Sequence, residues 1–177
     1  MIDWVDRRFP RRNQIRLRGY DYSQAGCYFV TICVKGKHEI LSTIDVGARI
    51  ARPNEDEADV GARIARPTEI GEKVEFALQQ INEKYPTVIL DKYVIMPNHI
   101  HMILMITQTD CDGRAMRAPT ISTVINQFKG FVTKQIGESI WQKLFHDRII
   151  RDEEEYLKIR KYIEENPETW LQDCYYE

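Results

Sequence analysis

Three absences bound this chain before any motif is read. No apolar run approaches the roughly 18 residues that a membrane-spanning helix needs, and Met1–Pro10 has no apolar core of a secretory signal. These exclude a helical membrane protein and predict a cytoplasmic one with no membrane partner. The four cysteines, Cys27, Cys33, Cys111 and Cys174, are scattered, with no C-x-x-C pair. That spacing argues against a zinc knuckle or a disulfide scaffold and for free thiols. There is also no overall charge bias, since 25 basic residues face 27 acidic ones. What remains is ordinary for a globular protein: 177 residues, 43% hydrophobic and 29% charged. That is enough for one domain, residues 1–177, with a true core.

The small net charge hides an uneven distribution. Arg7, Arg8, Arg11, Arg12, Arg16 and Arg18 crowd the start, opposed there only by Asp3 and Asp6. Guanidinium groups match phosphate in a fork geometry, so this cluster suits nucleic-acid backbone contacts. A solvated terminal arm is the bland alternative.

Hydrophobic periodicity predicts a mixed fold. Cys27 to Val34 is rich in β-branched and aromatic residues and reads as a strand, broken by Gly36. Thr68 to Lys84 places Ile70, Val74, Ala77, Leu78 and Ile81 on one helical face, and Pro86 stops it. Val88 to Met96 and His99 to Ile106 read as strands, with Pro97-Asn98 as the bend between them. Thr120 to Ile136 is a second helix. Phe145 to Ile150 is a further strand, and Asp152 caps a third helix that runs to about Asn166 before Pro167. The order strand, helix, strand, strand, helix, strand, helix predicts an α+β fold: an antiparallel sheet with helices on one face.

A repeat interrupts this pattern. Asp45 to Pro53 (DVGARIARP) recurs as Asp59 to Pro67. Two copies are too few for a solenoid, and the unit lacks core periodicity, so insertions at about 45–67 and 109–120 are expected to be loops. The second insertion looks scrambled until codons are considered. If Val60 to Thr68 is encoded GTA GGG GCG CGC ATT GCG CGC CCT AC, the reverse complement is GTA GGG CGC GCA ATG CGC GCC CCT AC. Its last eight residues, Gly-Arg-Ala-Met-Arg-Ala-Pro-Thr, are those of Gly113 to Thr120. On that hypothesis the gene carries one GC-rich imperfect palindrome three times, once inverted. The nucleotide sequence tests it, because codons incompatible with an inverted copy sink the idea.

The chemistry starts at His99-Ile100-His101. Alternation along a strand points both imidazoles to one face, where they can hold a divalent metal. The alternative is a hydrogen-bonded pair on an edge strand. Tyr162 and Asn166, four residues apart, share a helical face. The Asn166 amide oxygen is a hard ligand that suits Mg²⁺ or Mn²⁺. A tyrosine hydroxyl beside such a metal can attack phosphorus, though Tyr162 can equally be a half-buried packing residue. Lys158, one turn earlier, either lowers the pKa of Tyr162, holds a phosphate, or is simply solvated.

Several blocks in order carry a family resemblance. They are Tyr28-Phe29-Val30-Thr31-Ile32-Cys33, Val94 to His101, Phe128-Lys129, Trp141-Gln142, Phe145 to Arg151 and Tyr162-Ile163-Glu164-Glu165-Asn166-Pro167. From about Arg18 to Trp170, repeats excluded, the chain resembles the REP-associated tyrosine transposases within the single-tyrosine HUH endonucleases. The resemblance implies a ferredoxin-like fold with the nucleophile on the C-terminal helix. It also implies metal-dependent cleavage and transfer of single-stranded or hairpin DNA through a 5′-phosphotyrosine. In that reading His99, His101 and Asn166 bind Mg²⁺ or Mn²⁺, and Tyr162 rather than its rival Tyr156 attacks. The six N-terminal arginines with Lys129, Arg148 and Lys158 contact DNA, and a monomer is favoured over a homodimer. The family's targets are GC-rich imperfect palindromes flanked by a tetranucleotide such as GTAG, which is the class of element inferred within this gene. Three other readings stand beside it: a hairpin-binding protein without nuclease activity, a phosphohydrolase using activated water, and a structural histidine pair.

Overall fold

The computed structural model describes residues 24–44, 65–107 and 119–175. The N-terminal arginines, the first repeat copy, most of the second and nearly all of the inverted one lie outside these residues.

Four strands form the main sheet: β1 (Gly26–Cys33), β4 (Val88–Ile95), β5 (His99–Ile106) and β6 (His146–Ile150). Their order is β4-β5-β1-β6, with every neighbouring pair antiparallel. Helix α1 (Glu69–Lys84) connects β1 to β4, and α2 (Ile121–Ile136) connects β5 to β6. This is the ferredoxin-like β-α-β-β-α-β arrangement. A third helix, α3 (Glu153–Glu165), follows β6.

Each helix begins where a polar side chain satisfies an orphan amide. Thr68, Thr120 and Asp152 accept from the amides of Gly71, Thr123 and Glu155. Such caps contribute about 1 kcal/mol each. Gly137 closes α2 with φ 91°, a left-handed turn that costs glycine little.

One expectation needs correction: the helices do not all lie on one face. Val30, Ile32, Ile100, Met102 and Leu104 pack with α1 and α2. Val94, Met96, Ile103 and Ile150 pack on the other face with Ile159 and Ile163 of α3 and with Trp170. The cause is visible in β5, where seven of eight residues are buried. A central strand with two apolar faces needs cover on both. The histidines are therefore on a central strand, not at an edge.

The repeat also needs correction. Its last three residues are a strand, β3 (Ala65–Pro67), which pairs with β2 (Ser42–Ile44) in a separate two-stranded ladder. Ala65 is buried, and the ladder is tied to the core. The Ser42 hydroxyl donates to the Ile95 carbonyl at 2.9 Å, the Leu41 amide to the Pro97 carbonyl at 2.9 Å, and the Thr68 amide to the Leu41 carbonyl at 3.0 Å. A Cβ on Gly71 would lie 2.0 Å from that same Leu41 oxygen, so only glycine lets the start of α1 approach β2. Through these bonds the second copy's end braces the turn that precedes His99.

Because the copies are identical, removing residues 45–58 leaves the same Ala-Arg-Pro-Thr sequence in register with β2. The link between β2 and β3 then shortens from residues 45–64 to residues 59–64. We expect the shortened chain to fold with the ladder intact and to gain about 1 kcal/mol from reduced loop-closure entropy. Urea denaturation measures this, and a loss of several kcal/mol would show that the extra copy carries structure.

Candidate active site

The site is built from the face of the sheet covered by α3. Register places Cys33 opposite His99, and Thr31 opposite both His101 and His146. Partners across antiparallel strands project to the same face, so Thr31, His101 and His146 form one row. Phe29 and Arg148 lie in the next row. His99 is 0% and His101 1% exposed.

Burial of two imidazoles requires partners, and each ring has them. Nδ1 of His99 lies 2.9 Å from Oδ1 of Asn98, and Nδ1 of His101 lies 2.8 Å from Oγ1 of Thr31. An amide oxygen can only accept, so His99 carries its proton on Nδ1 and presents a bare Nε2. Thr31 can either accept or donate. The two Nε2 atoms converge to 3.0 Å. Burial holds both rings neutral: it depresses the pKa of His101 to about 3 and that of His99 well below the ordinary value. His101 and Lys37 push His99 further down.

Helix α3 brings Tyr162 and Asn166 to this face. The Tyr162 hydroxyl lies 3.3 Å from Nε2 of His101, and its ring meets the edge of Phe29 at 6.1 Å. Its ring is about a third exposed while the hydroxyl points inward. The amide of Asn166 is buried, and its Oδ1 has no hydrogen-bond partner in the protein. An orphaned buried acceptor costs about 1–3 kcal/mol. An amide oxygen and two imidazole Nε2 atoms are ligand types that suit a hard or borderline divalent cation.

The sequence reading did not name Asp173. The chain reverses after Pro167 and runs through a short 3-10 turn, Trp170–Gln172, back across the site. Asp173 Oδ2 accepts from Asn166 Nδ2 at 2.8 Å and from the Tyr162 hydroxyl at 3.4 Å. One ligating atom from each of His99, His101 and Asp173 lies within 4.8 Å of the others. The Tyr175 ring packs 4.5 Å from that of His99, and its carbonyl accepts from Asn98 Nδ2 at 2.9 Å. No spacing rule announces Asp173, Tyr175 or Thr31, because a chain reversal or a strand pairing brings each to the histidines. In the sequence Asn98 belongs to the bend and to the block Val94 to His101, and the structure joins its side chain to His99.

Electrostatics around Tyr162 run opposite to one expectation. Burial, followed by the Asp173 carboxylate, raises its pKa above that of an ordinary phenol. Lys158, a candidate for lowering it, pairs instead with Glu154 one turn back on α3. Lys129, expected at DNA, is 8% exposed and donates to the carbonyls of Gln142 and Leu144 at 3.0 and 3.2 Å. An ammonium beside an aromatic ring and two carbonyls fixes the loop before β6, and it is buried away from any phosphate. Arg148 is exposed on the site face and ion-paired with Glu155. Tyr156 stands apart from the histidines, its hydroxyl donating to Asp91 at 2.9 Å.

Among the described residues no helix is long and apolar enough to cross a membrane. Comparison with known proteins agrees with the architecture. An uncharacterized protein of Haemophilus influenzae is 32% identical over 183 residues, spanning 93% of both chains. A solved structure of a REP-associated tyrosine transposase bound to a REP hairpin superposes with a TM-score of 0.57 at 21% identity, over 88% of this chain and 73% of that one. At that identity the likeness is one of fold. The sequence profile described as "Transposase IS200 like" matches residues 63–166, which include the histidine pair, Tyr162 and Asn166. The chain belongs to the IS200-like transposase family.

Proposed function

We propose that this transposase is a metal-dependent nuclease and strand transferase. It would cut single-stranded DNA beside a hairpin and hold the 5′ end on Tyr162. The observation that carries the reading is the Tyr162 hydroxyl, 3.3 Å from a buried neutral imidazole whose Nε2 converges on a second. His99, His101 and Asn166 would hold Mg²⁺ or Mn²⁺, with the Asp173 carboxylate placed to join them. The bound ion would polarise the scissile phosphate and offset charge in the transition state.

The chain's own residues do the rest. Tyr162 supplies the nucleophile: its oxygen bonds to phosphorus as the bond from phosphorus to the 3′ oxygen breaks, leaving a 5′-phosphotyrosine and a 3′-hydroxyl. Its high pKa demands a proton acceptor, and Asp173 Oδ2 already accepts the hydroxyl. Thr31 and Asn98 orient the imidazoles through Nδ1, as outer hydrogen bonds do in metal sites generally. One chain supplies both the histidines and the tyrosine, which favours a monomeric catalyst. The hairpin in the solved relative, the basic N-terminal stretch and the palindromic element inferred in the gene favour hairpin DNA as the substrate.

The decisive test is a covalent-adduct assay with a labelled GTAG-flanked hairpin oligonucleotide and Mn²⁺. We expect a label that survives a denaturing gel, disappears in Tyr162→Phe and remains within a few-fold in Tyr156→Phe. Binding without an adduct would identify a hairpin-binding protein, and cleavage without an adduct would identify activated water as the nucleophile.

Metal binding has its own readout. Mn²⁺ at about 100 times its dissociation constant should stabilise the fold by about 2.7 kcal/mol. His101→Ala should abolish that gain, and an unchanged gain would place the metal elsewhere.

Without metal, burial keeps both histidines neutral, so the unfolded chain binds more protons below its ordinary pKa of 6.5. Stability should therefore be level above about pH 6.5 and fall as pH drops toward 3. Thermal melts in chelator across that range measure the slope. A flat profile would mean that the rings are solvated.

A further inference from the structure

We propose that His146 is the general acid of the cleavage step, giving its proton to the 3′ oxygen as that oxygen leaves phosphorus. This rests on the reading of the site as a phosphodiester-cleaving centre. It gives that reading a proton donor for the leaving group, since Tyr162 and Asp173 are both engaged with the attacking oxygen.

The first observation is placement. Strand β6 lies at the edge of the sheet, and its side chains sort by face. Ile150 packs with Val94, Ile103 and Ile163 on the site face, whereas Ile149 packs against the cluster under α1 and α2. Alternation along the strand puts His146 and Arg148 on the site face with Ile150. Register agrees: Thr31 is the partner of His101 on one side and of His146 on the other. Oγ1 of Thr31 lies 2.8 Å from Nδ1 of His101, so this row belongs to the site. His146 stands at the far end of a row that begins at a metal-ligand candidate.

The second observation is availability. Helix α3 packs over β4 and β5, and both His146 and Arg148 are exposed on β6. The two differ in their partners. Arg148 is ion-paired with Glu155 in the first turn of α3. The imidazole of His146 has no hydrogen bond or ion pair among the described residues. An exposed imidazole without a partner can give and take protons near neutral pH.

The third is direction. In-line displacement sets the attacking and leaving oxygens on opposite sides of phosphorus. Tyr162 approaches from α3, its hydroxyl 3.3 Å from Nε2 of His101. Across Thr31 from that point lies His146. Two strand spacings, about 10 Å, separate the Cα positions of His101 and His146. That span accommodates a phosphoryl group approached to about 3 Å by the attacking oxygen. The Tyr162 proton passes to Asp173 as the Tyr162 oxygen bonds to phosphorus. The bond from phosphorus to the 3′ oxygen breaks with its electron pair on oxygen. The His146 imidazolium, protonated from water, converts that oxygen to a 3′-hydroxyl and becomes neutral. In rejoining, the neutral imidazole takes the proton back as a 3′-hydroxyl attacks the phosphotyrosine.

His146→Gln keeps a hydrogen-bond donor and loses the transferable proton. Adduct formation by the full chain with Mn²⁺ is followed on two hairpin oligonucleotides, one with the natural 3′ oxygen at the scissile phosphate and one with sulfur in its place. Sulfur departs as a thiolate and needs no proton. We expect His146→Gln to melt with the parent and to keep the Mn²⁺-induced stabilisation. On the oxygen substrate it should form adduct roughly 10²-fold more slowly, and on the sulfur substrate within a few-fold of the parental rate. A parental rate on the oxygen substrate would overturn the proposal. So would an equal loss on both substrates, which marks a residue that holds DNA without moving a proton. If the parent forms no adduct on either substrate, the covalent reading fails and the general acid falls with it. A reactive parent beside an unimpaired variant refutes the general acid alone.

Discussion

Two imidazoles buried side by side on the central strand are the constraint around which this molecule is organised. An unpaired buried ring nitrogen is costly, so each outer nitrogen has found a partner, Asn98 for one and Thr31 for the other. Those partners fix much else. Thr31 commits β1 to its register against β5, and Asn98 ties the β4–β5 turn to the Lys37 carbonyl and to the C-terminal segment at Tyr175. The inner nitrogens meet each other, and His101 also meets the Tyr162 hydroxyl. On α3 the buried Asn166 oxygen has no partner in the protein.

The sheet's two faces divide the labour. The face under α1 and α2 is continuous hydrocarbon from Tyr28 to Leu104 and supplies the stability. The other carries the histidines, with a smaller apolar cluster that anchors α3 and Trp170. A helix packed by Ile159 and Ile163 brings Tyr162 to the histidine side of the sheet, with Asn166 at its end. Polar side chains on rigid elements, braced by apolar neighbours, hold their geometry without a ligand. Among the described residues the repeats meet this frame at one place. The second copy ends as a strand that pairs with β2 and so props the turn before His99.

Much of the fold was legible in the chain because its signals are local. An apolar run after the Pro97-Asn98 bend marked β5 from His99 to Ile106, and helical spacing from Thr68 and from Thr120, with the Asp152 cap, marked the helix starts to within a residue. The histidine pair and the Tyr162–Asn166 pair were legible for the same reason, since each is set by the period of one element. The sidedness of α3 was missed because period alone does not say which face of a sheet a helix covers. The ladder of β2 and β3 was missed because three-residue strands carry no periodicity. Lys129 was misjudged because its charge says nothing of the carbonyls that a later loop folds over it.

The sequence by itself therefore determined the elements, their α+β class, and two pairs of chemically capable side chains. Tertiary structure decided that the pairs meet. Residues about sixty positions apart come within hydrogen-bonding distance only because β5 is central and α3 crosses its uncovered face. It also decided that Asp173 and Tyr175 close the site, since both arrive by a chain reversal. Local interactions are set by neighbours in the chain and can be read from it. Contacts between distant segments depend on how all the apolar surfaces are buried at once, and that solution exists only in three dimensions.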